Sequence, residues 1–535
     1  MRRRNFGWVG LVLALAFGLF FGRASATGSS NGKAAAATAG AGENGGATGS
    51  HTAGSARSVG GGDSVLMHHK SLSRAGLYVQ PVLTKAAVMA SFNKDPHFNA
   101  VLGPREAVYA QPLFVDGGGR RRDLLIVATE ANDVFGLDGA SGARIWKTNL
   151  GMPVPLAMMP CGNINPYGVT GTPVIDLASR TLFVDGMTTP NGGVTKRHLI
   201  FALSIDDGSI KNGWPVDVGA RVTSGGTAFR NAPQSQRGAL AVVDGTLYVP
   251  YGGLYGDCDD YHGWLVAVSI SDPKKVQAWA TAASAGGAWA PGGVASDGTN
   301  LYLTTGNTRT SGTWGGGEGL LRFTPGASFA TPAYWAPRNW MALDNGDLDI
   351  GGSGAVLFDL SGATPSQLAI ALGKDGYAYL LDRNRLGGVS DPVAVAHVAS
   401  DSIINAAAVY TTASATYVAF RGRGIMCTAG TSGDLTTIKI LPGSPPTIAG
   451  SWCAAGGGGS PMVTTSDGHA DAIVWTLGAG DNNALNAFDG DTGAPIAYPG
   501  KAVSIPGMRP LNTPIAARGR IYVPADGAIV AFKSP

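Results

Sequence analysis

Three short stretches hold the side chains that could do chemistry. Residues 286–307 read GGAWAPGGVASDGTNLYLTTGN and carry Trp289 and Asn307. Residues 344–360, DNGDLDIGGSGAVLFDL, place Asp344, Asp347 and Asp349 within six positions. Residues 372–383, LGKDGYAYLLDR, put Lys374 at a Gly-flanked tip. Each stretch sets glycine-loosened polar residues at the edge of a strand-like apolar run, where a rigid sheet presents ligand-binding groups. An indole such as Trp289 offers a flat apolar face to a flat ligand, or packs between sheets. Gly306-Asn307 after a strand is also good turn chemistry, and the three aspartates also suit a structural turn or a minor calcium loop. A lysine at a hairpin tip is either solvated or set against an anion.

The elements that must position these residues come from an internal repeat. A unit begins at a small-residue or proline turn, runs through an apolar strand, turns at Asp-Gly or a relative, and continues through further strands. Copies start near Tyr109, Gly171, Gly238, Pro291, Gly354, Ala406, Pro461 and Pro514. A unit of this size holds about four short strands, and one such sheet cannot bury both faces alone. The expectation is an all-β protein, an eight-bladed β-propeller of four-stranded antiparallel blades; a stacked array of sandwiches is the alternative. The last unit is one strand short, and the segment from Val88 to Leu102 is expected to close the ring.

The most regular copy ends Gly136-Leu-Asp-Gly-Ala-Ser-Gly-Ala-Arg-Ile-Trp146. It resembles the repeat of the pyrroloquinoline quinone (PQQ) propeller proteins, Ala-x-Asp-x-x-x-Gly-x-x-x-Trp, with Gly136 in place of the alanine. Over roughly residues 285–387 the chain is similar to the quinoprotein alcohol dehydrogenases. The resemblance implies that Trp289 is the ring on which the quinone stacks and that Thr305-Gly306-Asn307 supplies a calcium-binding asparagine, calcium preferring hard oxygen ligands. It implies that Asp347 or Asp349 is the base that removes an alcohol proton, and that Lys374 in Gly373-Lys374-Asp375-Gly376 pairs with the cofactor. Two features of these enzymes are absent from the sequence. Where they have Gly-Ala-Glu with a calcium-binding glutamate, this chain reads Gly253-Leu254-Tyr255-Gly256-Asp257-Cys258, so that only Asp257 is at hand for the role. No two cysteines are adjacent, and no CxxCH haem attachment is present, so electrons would leave to a separate acceptor.

The remaining bounds concern location and partners. Arg2, Arg3 and Arg4, an apolar run from Trp8 to Phe21 and Ala24-Ser25-Ala26 read as a signal peptide over 1–26, too short to span a membrane. Residues 27–62 are Gly, Ala and Ser rich and read as a disordered linker, leaving 63–535 for the propeller. The expected location is periplasmic or secreted, with no membrane span after cleavage. Four cysteines in an exported chain imply two disulfides, for which Cys161–Cys258 and Cys427–Cys453 are the favoured pairs, each bridging loops of neighbouring repeats. Formal net charge is +3, and losing the four leader arginines leaves −1, which argues against nucleic acid. His68-His69 lacks a ligand-type partner in sequence and reads as surface or packing. Tyr261-His262-Gly263, behind Asp257, Asp259 and Asp260, is a blade turn or a loop ion site. Two function classes remain: a PQQ- and calcium-dependent oxidoreductase acting on an alcohol or sugar, and a non-catalytic propeller that binds a protein, glycan or small ligand.

Overall fold

Short runs of Val, Ile, Leu and Tyr, each interrupted by a tight turn, favour consecutive hairpins. In the first repeat Leu113–Val115, Leu124–Ala128, Asp133–Asp138 and Arg144–Asn149 pair antiparallel in chain order. The computed structural model describes residues 62–534 apart from 310–311, 327–328 and 330–331, and the expected leader and most of the linker lie outside the described residues. Over the described residues the unit recurs to give eight blades. Their innermost strands are Leu113–Val115, Val174–Asp176, Ala241–Val243, Ala295–Ser296, Val356–Asp359, Ala408–Thr411, Met462–Thr465 and Ile515–Ala517. The expected all-β, eight-bladed propeller is therefore the observed fold.

The Asp-x-x-x-Gly-x-x-x-Trp pattern has a physical reason. Asp138 accepts the amides of Ala140 and Ser141, and Gly142 completes the turn at φ +76°. Trp146 then lies across its own blade, where a Cβ at Gly136 would come 2.2 Å from the indole, and donates Nε1–H to Ile205 O of blade 2 at 3.1 Å. Only glycine leaves room there. Trp452 repeats the device between blades 6 and 7, donating to Gly490 O at 2.9 Å.

Ring closure uses the start of the propeller. Asn93–Lys94 and Ala100–Val101 pair antiparallel with Ala528–Lys533 and complete blade 8, within the segment expected to do so. A second device was not expected. Residues 65–80 thread the inner ring and hydrogen-bond to every blade. Val65 exchanges amide and carbonyl with Phe114; Leu66, Leu72, Ser73, Ala75 and Gly76 offer carbonyls to Ile175, Ser296, Leu357, Val409 and Val463 of blades 2, 4, 5, 6 and 7. Arg74 reaches Leu240 O of blade 3 at 2.9 Å and Val294 O at 2.6 Å, and Gln80 accepts the Gly519 amide of blade 8 at 2.7 Å. His68 and His69 belong to this thread, stacked at 4.3 Å and fully buried; they are packing residues at the hub, not surface.

Both favoured disulfides form. Cys161–Cys258 ties the approach to blade 2 to blade 3, as expected of neighbouring repeats. Cys427–Cys453 instead lies within blade 6, because the long loop after Thr416–Arg421 folds back on the outer strand Thr447–Ala454.

Candidate functional site

Asp349 is the centre of the cluster. It follows the helix Trp340–Gly346, which ends where Asp347 takes a left-handed conformation (φ +53°) and turns the chain inward. Its carboxylate is 3% exposed and fully engaged: Oδ1 accepts the Asn307 amide at 2.7 Å, and Oδ2 accepts Trp289 Nε1–H at 3.1 Å and the Lys374 ammonium at 2.7 Å. Trp289, Asn307, Asp349 and Lys374, distant in sequence, thus form one hydrogen-bonded group. Gly306 makes it possible, since a Cβ there would sit 2.6 Å from Asp349 Oδ1 and 3.1 Å from Trp289 Nε1.

The two candidate bases differ in setting. Asp347 is 62% exposed and meets Lys374 Nζ at 2.7 Å. Asp349 is held above the ordinary carboxylate range by burial, against the opposing pull of Lys374 and the Asn307 amide. Lys374 is shielded from water, which lowers its proton affinity, yet Asp349 and Asp347 outweigh this and hold it above the usual lysine value. Asp344 spends both oxygens on Thr308, amide and hydroxyl, at 2.9 and 2.8 Å.

Asp257 stands apart from this group. It is exposed, on the loop beside Cys258, and accepts the Tyr261 hydroxyl at 2.5 Å. Tyr261 is close enough to feel both Asp257 and Asp349, and burial together with these carboxylates drives its proton affinity up. Among the described residues no three His, Cys, Asp or Glu side chains are grouped to hold a metal ion.

Two residues of the site escaped the sequence reading. Glu318 is wholly buried at the start of Gly319–Phe323, accepts the Ile350 amide at 2.8 Å through Oε2, and has no partner for Oε1. Burial, then the nearby Asp349, push it up to about 9. Arg237 lies with its guanidinium 5.8 Å from the centre of the Trp289 ring, and Lys374 Nζ stands 5.3 Å from the same centre. Two cations therefore flank one indole. The signal for Arg237 was its place in the repeat: it precedes an inner strand by a few residues, as Gln111, Thr172, Pro291 and Thr513 do, and all five line the propeller axis.

The propeller fold has counterparts among solved structures. A quinohemoprotein alcohol dehydrogenase of Pseudomonas putida HK5 superposes with a TM-score of 0.60 at 12% identity, over 88% of this chain and 80% of that one. The quinohemoprotein alcohol dehydrogenase of Comamonas testosteroni gives 0.58 at 12% identity, over 88% and 80%. The chain has the propeller fold of the quinoprotein dehydrogenases. A europium-containing methanol dehydrogenase matches at 0.56 with 14% identity, over 86% of this chain and 89% of that one. No protein-family model matches the sequence, and no curated protein matches it. The likeness is thus one of architecture at low sequence identity.

Proposed function

We propose that the protein is an exported quinoprotein-type oxidoreductase that binds a planar, anionic cofactor of the PQQ class on Trp289 and oxidises an alcohol or sugar. The observation that carries the reading is the single indole flanked by Arg237 and Lys374 and bonded through its N–H to a buried carboxylate. An aromatic ring with two cations within 6 Å of its centre suits a flat polyanion, so the residue types present fit the quinone. When bound, such a quinone supplies the hydride acceptor. Lys374 balances negative charge on the cofactor, and Asp349, made more basic by burial, accepts the substrate hydroxyl proton. Two disulfides with no free cysteine support export.

Calcium fits less well. At Asp349 it would meet a carboxylate whose oxygens are all bonded and whose charge Lys374 already balances, and Asp257 is held by Tyr261. That same saturation favours the second reading, a propeller that binds a ligand or partner without catalysis.

One experiment separates the two. Purified protein is titrated with PQQ, with and without calcium, following cofactor absorbance and then dye reduction with a panel of alcohols and sugars. Saturable binding followed by turnover supports the oxidoreductase. Absence of saturable PQQ binding sinks it.

A further inference from the structure

Residues 315–319 read Gly-Gly-Gly-Glu-Gly, so Glu318 is a lone side chain in a stretch of glycine. It also takes the conformation that glycine suits best, with φ +48° in the left-handed region. Its side chain is 0% exposed; among the described residues no cation pairs with it, and Oε1 has no hydrogen-bond partner. A left-handed backbone and a buried carboxyl without a counter-charge both cost stability. Glu318 is thus held in place against the interest of packing.

Its contacts lead to Asp349. Glu318 N–H donates to Gly306 O at 3.0 Å, one step beyond the paired Thr305 and Gly319, so Gly306 is its cross-strand neighbour. Opposite residues of an antiparallel pair share a face, and on that face a Cβ at Gly306 would lie 2.6 Å from Asp349 Oδ1. Glu318 Oε2 accepts the amide of Ile350, the residue after Asp349, at 2.8 Å. The turn Ile350–Gly352 is pressed against the same strand end, where a Cβ at Gly351 would meet Thr305 C at 2.6 Å. From its own side this segment reaches blade 4 through Asp344 on Thr308 and Asp349 on the Asn307 amide. Glu318 reaches back the other way and closes on the residue next to the proposed base.

We infer that Glu318 is a positioning residue for Asp349: by holding the Ile350 amide it fixes the peptide that follows Asp349, and with it the aim of the carboxylate at Trp289 and at a bound substrate. Its effect on turnover rests on the oxidoreductase reading; its effect on the bond between Trp289 and Asp349 does not. The bond to Ile350 needs only an acceptor oxygen, so glutamine can make it and leucine, of similar size, cannot.

The test compares Glu318→Gln and Glu318→Leu in the intact protein, each checked for folding by circular dichroism; Glu318→Ala replaces the leucine variant if that one does not fold. The first readout is the Trp289 indole N–H resonance, assigned by its loss in Trp289→Phe, which reports the bond to Asp349 without any cofactor. Glu318→Leu is expected to shift or broaden it, and Glu318→Gln to leave it in place. The second readout is dye reduction with PQQ bound. Glu318→Leu lowers kcat by about 10- to 100-fold while KM and PQQ affinity change by less than about threefold, and Glu318→Gln restores most of the lost kcat. If the wild type binds no PQQ, the oxidoreductase reading falls and the indole resonance alone decides the role of Glu318. An unmoved resonance or an unchanged kcat in Glu318→Leu, or an equal loss in Glu318→Gln, overturns the assignment.

Discussion

The indole N–H of Trp289 donates to the Asp349 carboxylate at 3.1 Å, so the residue that offers a stacking face and the residue that offers a base are one rigid unit. Asp349→Asn keeps the shape but deprives Lys374 of its buried counter-charge. It is expected to lower turnover by at least about 100-fold, whereas the exposed Asp347→Asn costs less than about tenfold; steady-state dye reduction with saturating PQQ measures both. Equal losses would move the base away from Asp349.

Trp289 and Trp146 separate binding from packing. Trp289→Ala should weaken PQQ binding by 10-fold or more, about 1.4 kcal/mol, read by absorbance titration. Trp146→Ala should leave binding unchanged but destabilise by about 3–5 kcal/mol in urea, because it empties the seam over Gly136 and the bond to Ile205.

Glu318 sets a pH dependence. Its proton affinity in the folded chain, about 9, lies above that of an ordinary glutamate, so the folded state holds one more proton than the unfolded state between roughly pH 5 and 9. Stability therefore falls as pH rises through that window, by up to about 1.4 kcal/mol per pH unit from this group. Glu318→Gln should flatten the decline in urea midpoint between pH 6 and 9. An unchanged slope would place the proton elsewhere.

Arg74 holds the inner thread with four hydrogen bonds to the carbonyls of His68, Leu240 and Val294, all buried. Arg74→Met should cost more than about 3 kcal/mol by orphaning those carbonyls, measured by chemical unfolding of the oxidised protein.

The two disulfides should differ by loop length. Cys161–Cys258 closes 97 residues and Cys427–Cys453 closes 26, so the chain-entropy relation expects about 4.7 and 3.5 kcal/mol respectively. Paired serine variants compared by unfolding give the ranking.

The repeat was legible because sheet periodicity and turn chemistry are local. The Asp138–Trp146 stretch announces its turn and its docking residue within nine positions. The residues that gather around Asp349 were legible only through the resemblance, at Trp289, Asn307, Asp349 and Lys374. Glu318 was not, because its role comes from burial and from what faces it, which leaves no mark on local spacing; Arg237 carried only its place before an inner strand, which it shares with Gln111, Thr172, Pro291 and Thr513 and which does not single it out. The thread from Val65 to Gln80 was missed for a related reason: except for the three-residue ladder of Leu77–Val79 on Met462–Thr465, it meets each blade through one or two isolated bonds, so no strand periodicity betrays it.

That thread imposes an order on the molecule's birth. Residues near Val65 leave the ribosome before any blade, yet the partner of Gln80 is Gly519, more than four hundred residues later. Contacts of such separation close slowly. Until the eighth sheet is made, seven sheets surround an axle with open bonds, and neither a fragment nor a nascent chain can reach the finished state. The native protein should consequently unfold as one unit, with the amides of Ile175, Ser296, Leu357, Val409 and Val463, spread over five sheets, exchanging with solvent at a single common rate.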